Sequence, residues 1–137
     1  MAQEQAFALD ERLRKAERLT RRRQFLETQR RGGRHVSRHL VVYACPGREA
    51  WSRVGLTVSR KVGNAVVRNL VKRRLREIFR RNKGVLPEGF DFVWIARVGA
   101  GDASQEELHR QVIEASRQAA RRARPRPPSS DAGEKVP

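Results

Sequence analysis

The chain has 137 residues, 38% of them hydrophobic, and carries 31 lysines and arginines against 15 acids, a formal charge of +16. That length suits one domain with tails and a modest core, and the charge surplus points to a densely anionic partner, nucleic acid rather than a membrane. No apolar run approaches 18 residues, no signal-peptide core follows Met1, and Cys45 is alone, so a soluble cytoplasmic protein is expected, without an internal disulfide or a cysteine-based zinc site.

Residues 1–17 are charged and helix-permissive, but Phe7, Leu9 and Leu13 make only a thin apolar stripe, so they read as an extension with no assigned role. Thr20 can cap a first helix near residues 20–31, RRRQFLETQRR, with Leu19, Phe25 and Leu26 toward one side and arginines around them. Gly32 and Gly33 stop it, because glycine accepts the left-handed conformation at a helix end. The following RHVSRHLVVYAC reads as one strand, with Val41 and Tyr43 on one face and Leu40 and Val42 on the other. After a turn at Pro46 and Gly47, SRVGLTVSR alternates Val54, Leu56 and Val58 with Gly55, Thr57 and Ser59. The small-residue face admits either a ligand or a closely packed helix.

The chain is organised around SRKVGNAVVRNLVKRRLREIFRRNK, residues 59–83. In its loop Asn64 can cap a helix or present its amide to a ligand. Steps of about 100° along the helix gather Arg68, Lys72, Arg76, Asn69, Arg80 and Arg73 into a polar arc of roughly 140°. Val67, Leu70, Val71, Leu75, Ile78 and Phe79 lie opposite, with Arg74 the one charge among them. Eight basic residues stand between Arg68 and Lys83 against the single acid Glu77, too lopsided for a surface of alternating ion pairs. One face is therefore built for a core and the other for a polyanion. Beyond the helix, FDFVWIARV is nearly continuous apolar sequence, as for an interior strand, and Trp94 in it reads as core. Ser104 and Glu107 have capping-box spacing and open a last helix carrying Leu108, Val112, Ile113, Ala115 and Ala119. Residues 121–137 are rich in proline, serine and charge and read as a disordered basic tail.

No catalytic constellation accompanies this framework. His35 and His39, on a continuous strand, would stand about 13 Å apart, too far for one metal, and Asp91 is isolated in a strand. These residues bind rather than catalyse. The central helix is a surface that reads nucleic-acid backbone, and the strands around it favour RNA over a DNA major groove.

At this point the run VGLTVSRKVGNAVVRNLVKRRLREIFR, followed by DFVWIAR, closely resembles the signature of the protein component of bacterial ribonuclease P; the similarity covers about Arg18 to Ala120. The resemblance implies an α+β fold, an α/β sandwich in which a four-stranded mixed sheet packs with helices in the order αβββαβα, with a left-handed βαβ crossover, an exception to the usual hand. It implies an RNA-binding domain over residues 18–120 and a small basic subunit that joins a catalytic RNA. That ribonucleoprotein removes the 5′ leader of precursor tRNA; the RNA, using bound Mg²⁺, performs the phosphodiester hydrolysis, with no organic cofactor and no obligate protein partner. By the motif, Arg68, Asn69, Lys72, Arg73 and Arg76, with Arg80 on the same arc, face the catalytic RNA, together with Lys61 and Asn64 of the preceding loop. Phe25 and Tyr43 match aromatic positions of a cleft that takes the single-stranded leader. The sequence departs at Gln29, where many relatives place a second aromatic. The competing reading is a structural ribosomal RNA-binding protein, and a DNA-architectural protein stands third.

Overall fold

The computed structural model describes residues 14–123. In chain order it contains α1 (Arg22–Arg31), β1 (Gly33–Val36), β2 (Leu40–Pro46), β3 (Arg53–Thr57), α2 (Ala65–Arg81), β4 (Phe90–Ala96) and α3 (Gln105–Arg122), with single 3-10 turns at Lys15–Glu17 and Ala100–Asp102. Most of the N-terminal extension and nearly all of the basic tail lie outside the described residues.

The four strands form one sheet in the order β1-β2-β4-β3, antiparallel except for the parallel β3–β4 pair that α2 connects. The mixed αβββαβα arrangement expected from the resemblance is present. β4 is interior, as its apolar run requires. Period-2 alternation sends Leu40, Val42, Ala44, Val54, Phe92 and Trp94 to one face, where they are buried against Val71, Leu75, Ile78 and Phe79 of α2 and Leu108, Val112 and Ala119 of α3. Trp94 is a core residue, edge-on to Phe79 with ring centroids 5.8 Å apart.

Val41, Tyr43, Arg53, Gly55, Thr57, Asp91, Val93 and Ile95 alternate onto the second face, which α1 crosses. The Phe25 ring lies on Gly55 of β3, where an added Cβ would stand 2.5 Å from it, and a Cβ on Gly32, just after α1, would stand 2.6 Å from the Ala44 carbonyl oxygen of β2. Seven residues of helix advance about 10 Å, and β3 and β2 are two strand spacings, roughly 10 Å, apart. α1 therefore runs steeply across the strands at the level of Gly55 and Val93, dividing this face into a flank toward Ile95 and a flank toward Asp91. Of the two readings of the small-residue face, the packed helix holds at Gly55.

Several local expectations are corrected. The segment read as one strand is a hairpin: Ser37 to His39 turn the chain, closed by the Ser37 N–H on the Leu40 carbonyl at 2.8 Å, and His35 pairs back with Val42. His39 leaves the strand, its backbone N–H donating to Gln111 Oε1 at 2.8 Å and its Nδ1 lying 2.9 Å from Gln111 Nε2. Gly32 is extended, with φ −87° and ψ 164°, so left-handed freedom is not its use; contact is, since a Cβ would strike the Thr28 and Ala44 carbonyl oxygens, and one on Gly33 the end of α3. Thr20 does not cap α1. Gln24 does, its Oε1 accepting from the Thr20 and Arg21 N–H groups at 2.9 Å. Leu26 turns outward at 49% exposure, and Thr28, buried, takes the sheet side.

The described N-terminal residues belong to the folded unit. Arg18 bridges Val54 in parallel, the Leu19 N–H donates to the Val54 carbonyl at 3.0 Å, the Trp51 indole N–H donates to the Ala16 carbonyl, and Glu17, buried, pairs with Lys83 at 2.8 Å. Residues 14–17 thus pack on the domain expected from Arg18 onward, and α3 runs two residues past Ala120.

Candidate nucleic-acid interface

α2 presents the two faces its periodicity predicts. Its apolar side enters the core, and the odd charge on that side has a use: Arg74 Nη1 donates to the Ala103 carbonyl at 2.9 Å, tying α2 to the segment that leads into α3. On the polar arc Asn69, Arg73 and Arg76 are exposed and Arg68, Lys72 and Arg80 are half-buried. They are not equivalent. Arg68 Nη1 donates to the Gly63 carbonyl at 3.0 Å and so holds the loop, while Arg80 and Arg81 both pair with Glu77, at 2.7 and 3.0 Å. Lys72, Arg73 and Arg76 are engaged by no other described residue, which leaves three full charges on one helix face for phosphates.

The loop before α2 keeps Lys61 exposed beside this face. Asn64 is the N-cap, its Oδ1 accepting from the Val67 N–H at 3.0 Å, so its side-chain amide remains to donate outward. Lys61, Asn64 and the arc thus lie at one end and along one side of a single element.

The two predicted cleft residues come from different elements but stand on the same side of the sheet. Tyr43 pairs with Val93 and Arg34, half-buried on the face that α1 crosses, with the Arg34 guanidinium carbon 6.0 Å from its ring centroid. Phe25, also half-buried, rests on Gly55. Helical spacing sets Arg22 and Gln29 next to Phe25, on the side of α1 facing the Ile95 flank, where Val41 and Thr57 complete a partly exposed floor. Phe25 and Tyr43 thus share one face of the sheet, two strands apart, where exposed aromatic edges with an arginine and an amide nearby can stack on and hydrogen-bond to unpaired bases.

Sequence reasoning missed the pairing of Asp91. It lies beside Arg53 in the parallel β3–β4 register, and the two form a bidentate pair, Nε to Oδ1 at 2.9 Å and Nη2 to Oδ2 at 2.8 Å. The hydrogen bond to Asp91 is the main cause that holds the Arg53 pKa above its ordinary value, against desolvation that lowers it; the charges of Asp91 and Glu49 add to the rise. The one available signal was alternation: it places both side chains on one face, but only the register makes them neighbours.

Comparison with known proteins agrees with this architecture. A family model described as Ribonuclease P matches residues 13–120. The chain is 46% identical over 83 residues to the ribonuclease P protein component of Petrotoga mobilis, covering 61% of this chain and 70% of that one. It is 40% identical over 96 residues to that of Streptococcus pneumoniae, covering 70% and 78%. Among solved structures, the RNase P protein from Thermotoga maritima superposes with a TM-score of 0.67 at 38% identity, covering 74% of this chain and 96% of that one. A Staphylococcus aureus RNase P protein mutant with defective mRNA degradation activity gives 0.69 at 33%, covering 74% and 86%. With the motif helix, the sheet order and these relatives in agreement, the chain belongs to the ribonuclease P protein family.

Proposed function

We propose that the chain is the RNA-binding protein subunit of a ribonuclease P ribonucleoprotein, with the polar arc of α2 and the Lys61–Asn64 loop on the catalytic RNA and the Phe25–Tyr43 cleft on the 5′ leader of precursor tRNA. The observation that carries this reading is the pairing of functions on opposite sides of α2. Val71, Leu75, Ile78 and Phe79 on its apolar side are buried in the core, while Lys72, Arg73 and Arg76 point away from it with no acid among the described residues paired to them. Such a face binds a phosphate backbone with little sequence preference, which suits a structured RNA read by shape. The cleft adds sequence-tolerant stacking for a single strand.

Hydrolysis of the phosphodiester bond then belongs to the RNA, with Mg²⁺ that the RNA holds supplying an activated water and charge stabilisation. Among the described residues no three His, Cys, Asp or Glu side chains gather closely enough to hold a metal ion, and no step is assigned to this chain beyond binding and positioning. The ribosomal alternative is not favoured by the family match. No helix among the described residues is long and apolar enough to cross a membrane.

Reconstitution tests the proposal. The purified protein alone should leave precursor tRNA intact, and its addition to the catalytic RNA at low Mg²⁺ should restore 5′ leader removal. Cleavage by RNA-free protein, or no stimulation of the RNA, would contradict it.

A further inference from the structure

The Asp91 flank of α1 holds a second groove that the cleft and the α2 face leave unused. It has a volume of about 970 Å³ and lies between α1, the β2–β3 connection and the ends of β3 and β4. Arg23, Arg30 and Arg48 line it, each exposed and engaged by no other described residue. The remaining charges are already matched: Asp91 with Arg53 at 2.8 Å, and Glu27, on the groove wall, with Arg31 at 3.3 Å. Four arginines line the concavity against the two acids Glu27 and Asp91, so it keeps a positive surplus that an anion with several charges relieves. Arg23 and Arg30 are seven residues apart, about 10 Å along the helix, with Arg48 supplied by another element. The spread matches a chain of phosphates better than one small anion, and a concavity of this size admits a single strand, not a duplex.

We propose that this groove holds the phosphodiester backbone of the distal part of the single-stranded 5′ leader, beyond the nucleotides in the Phe25–Tyr43 cleft; this extends the leader reading above. α1 alone separates the two flanks. Around its outer surface, 100° steps order Gln29, Arg22, Leu26, Arg30 and Arg23, a path from cleft to groove that meets no acid. Leu26, apolar and 49% exposed at the crest, gives a base a surface to lie on as the strand crosses. Arginine forks then take the phosphates on the far side.

The test uses the reconstituted holoenzyme carrying Arg23→Ala, Arg30→Ala and Arg48→Ala together, with mature tRNA and precursors of short and long leader as ligands. Affinity for mature tRNA and for the short-leader precursor should stay at the parent level. Affinity for the long-leader precursor should fall about 10- to 100-fold, and its log-log salt slope should shrink by about 2, the single-strand value for three phosphates. The triple lysine variant should recover most of the loss. The melting temperature of the alanine variant should not fall below the parent, since the three side chains bond to no described residue of the fold. Equal loss for mature tRNA, weakened binding of the catalytic RNA, or no loss for the long leader would overturn the proposal. Phe25→Ala reads the cleft separately, because its effect falls on the short-leader precursor.

Discussion

Replacing Lys72, Arg73 and Arg76 together by alanine is expected to weaken binding of the catalytic RNA by about 100-fold near 0.1 M salt and to shrink the log-log salt slope by about 2 to 3. The magnitude follows from three phosphates, each contributing about 0.7 to 0.9 to the slope. Those residues isolate the electrostatic term because they stand on the polar arc and hold nothing in the fold. Arg68 is a poorer probe: its alanine variant also releases the Gly63 carbonyl and loosens the loop that presents Lys61 and Asn64. Binding curves over a salt series, with thermal melts, check the prediction. An unchanged slope would show that the phosphates lie elsewhere.

Phe25→Ala should reduce the affinity of the holoenzyme for leader-bearing precursor by about 1 to 3 kcal/mol, the range for loss of one base-aromatic stack, and leave mature tRNA nearly unchanged. The same ring packs on Gly55, so the variant also loses stability. Phe25 is only half-buried, and the loss should be about 1 to 3 kcal/mol, below the 3 to 5 typical of a fully buried phenylalanine. Phe25→Leu separates the two roles, because leucine keeps most of the apolar contact and removes the π-face. Precursor and mature tRNA bound by all three proteins, with melts beside them, give the answer. If the leucine variant binds the leader as the parent does, Phe25 serves packing alone.

Much of this was legible from residue spacing. The two faces of α2 follow from its apolar residues recurring at three and four positions, and the interior place of β4 from an apolar run that leaves no solvent face. The Ser104 cap and its return bond from Glu107 follow from spacing alone. What stayed hidden depends on partners distant in sequence. RHVSRHLVVY contains no glycine or proline at its turn; the chain reverses there because Gln111 of α3 binds His39 and Arg97 Nη1 donates to the Ser37 carbonyl. Asp91 looked isolated because Arg53 lies 38 residues away in sequence. The arginines of α1 looked like a uniform rim, whereas the crossing of the sheet sorts them, setting Arg22 on the cleft side and Arg23 and Arg30 on the groove side. Trp51, whose partner Ala16 lies 35 residues before it, pins the N-terminal segment through its indole N–H.

The most direct measurement compares the catalytic RNA with and without this protein for its affinity toward precursor and mature tRNA at one salt and Mg²⁺ concentration. If the α2 face joins the catalytic RNA while α1 and the sheet hold the leader, the protein raises affinity for precursor well beyond its effect on mature tRNA. An equal rise for both, or none for either, would contradict the account.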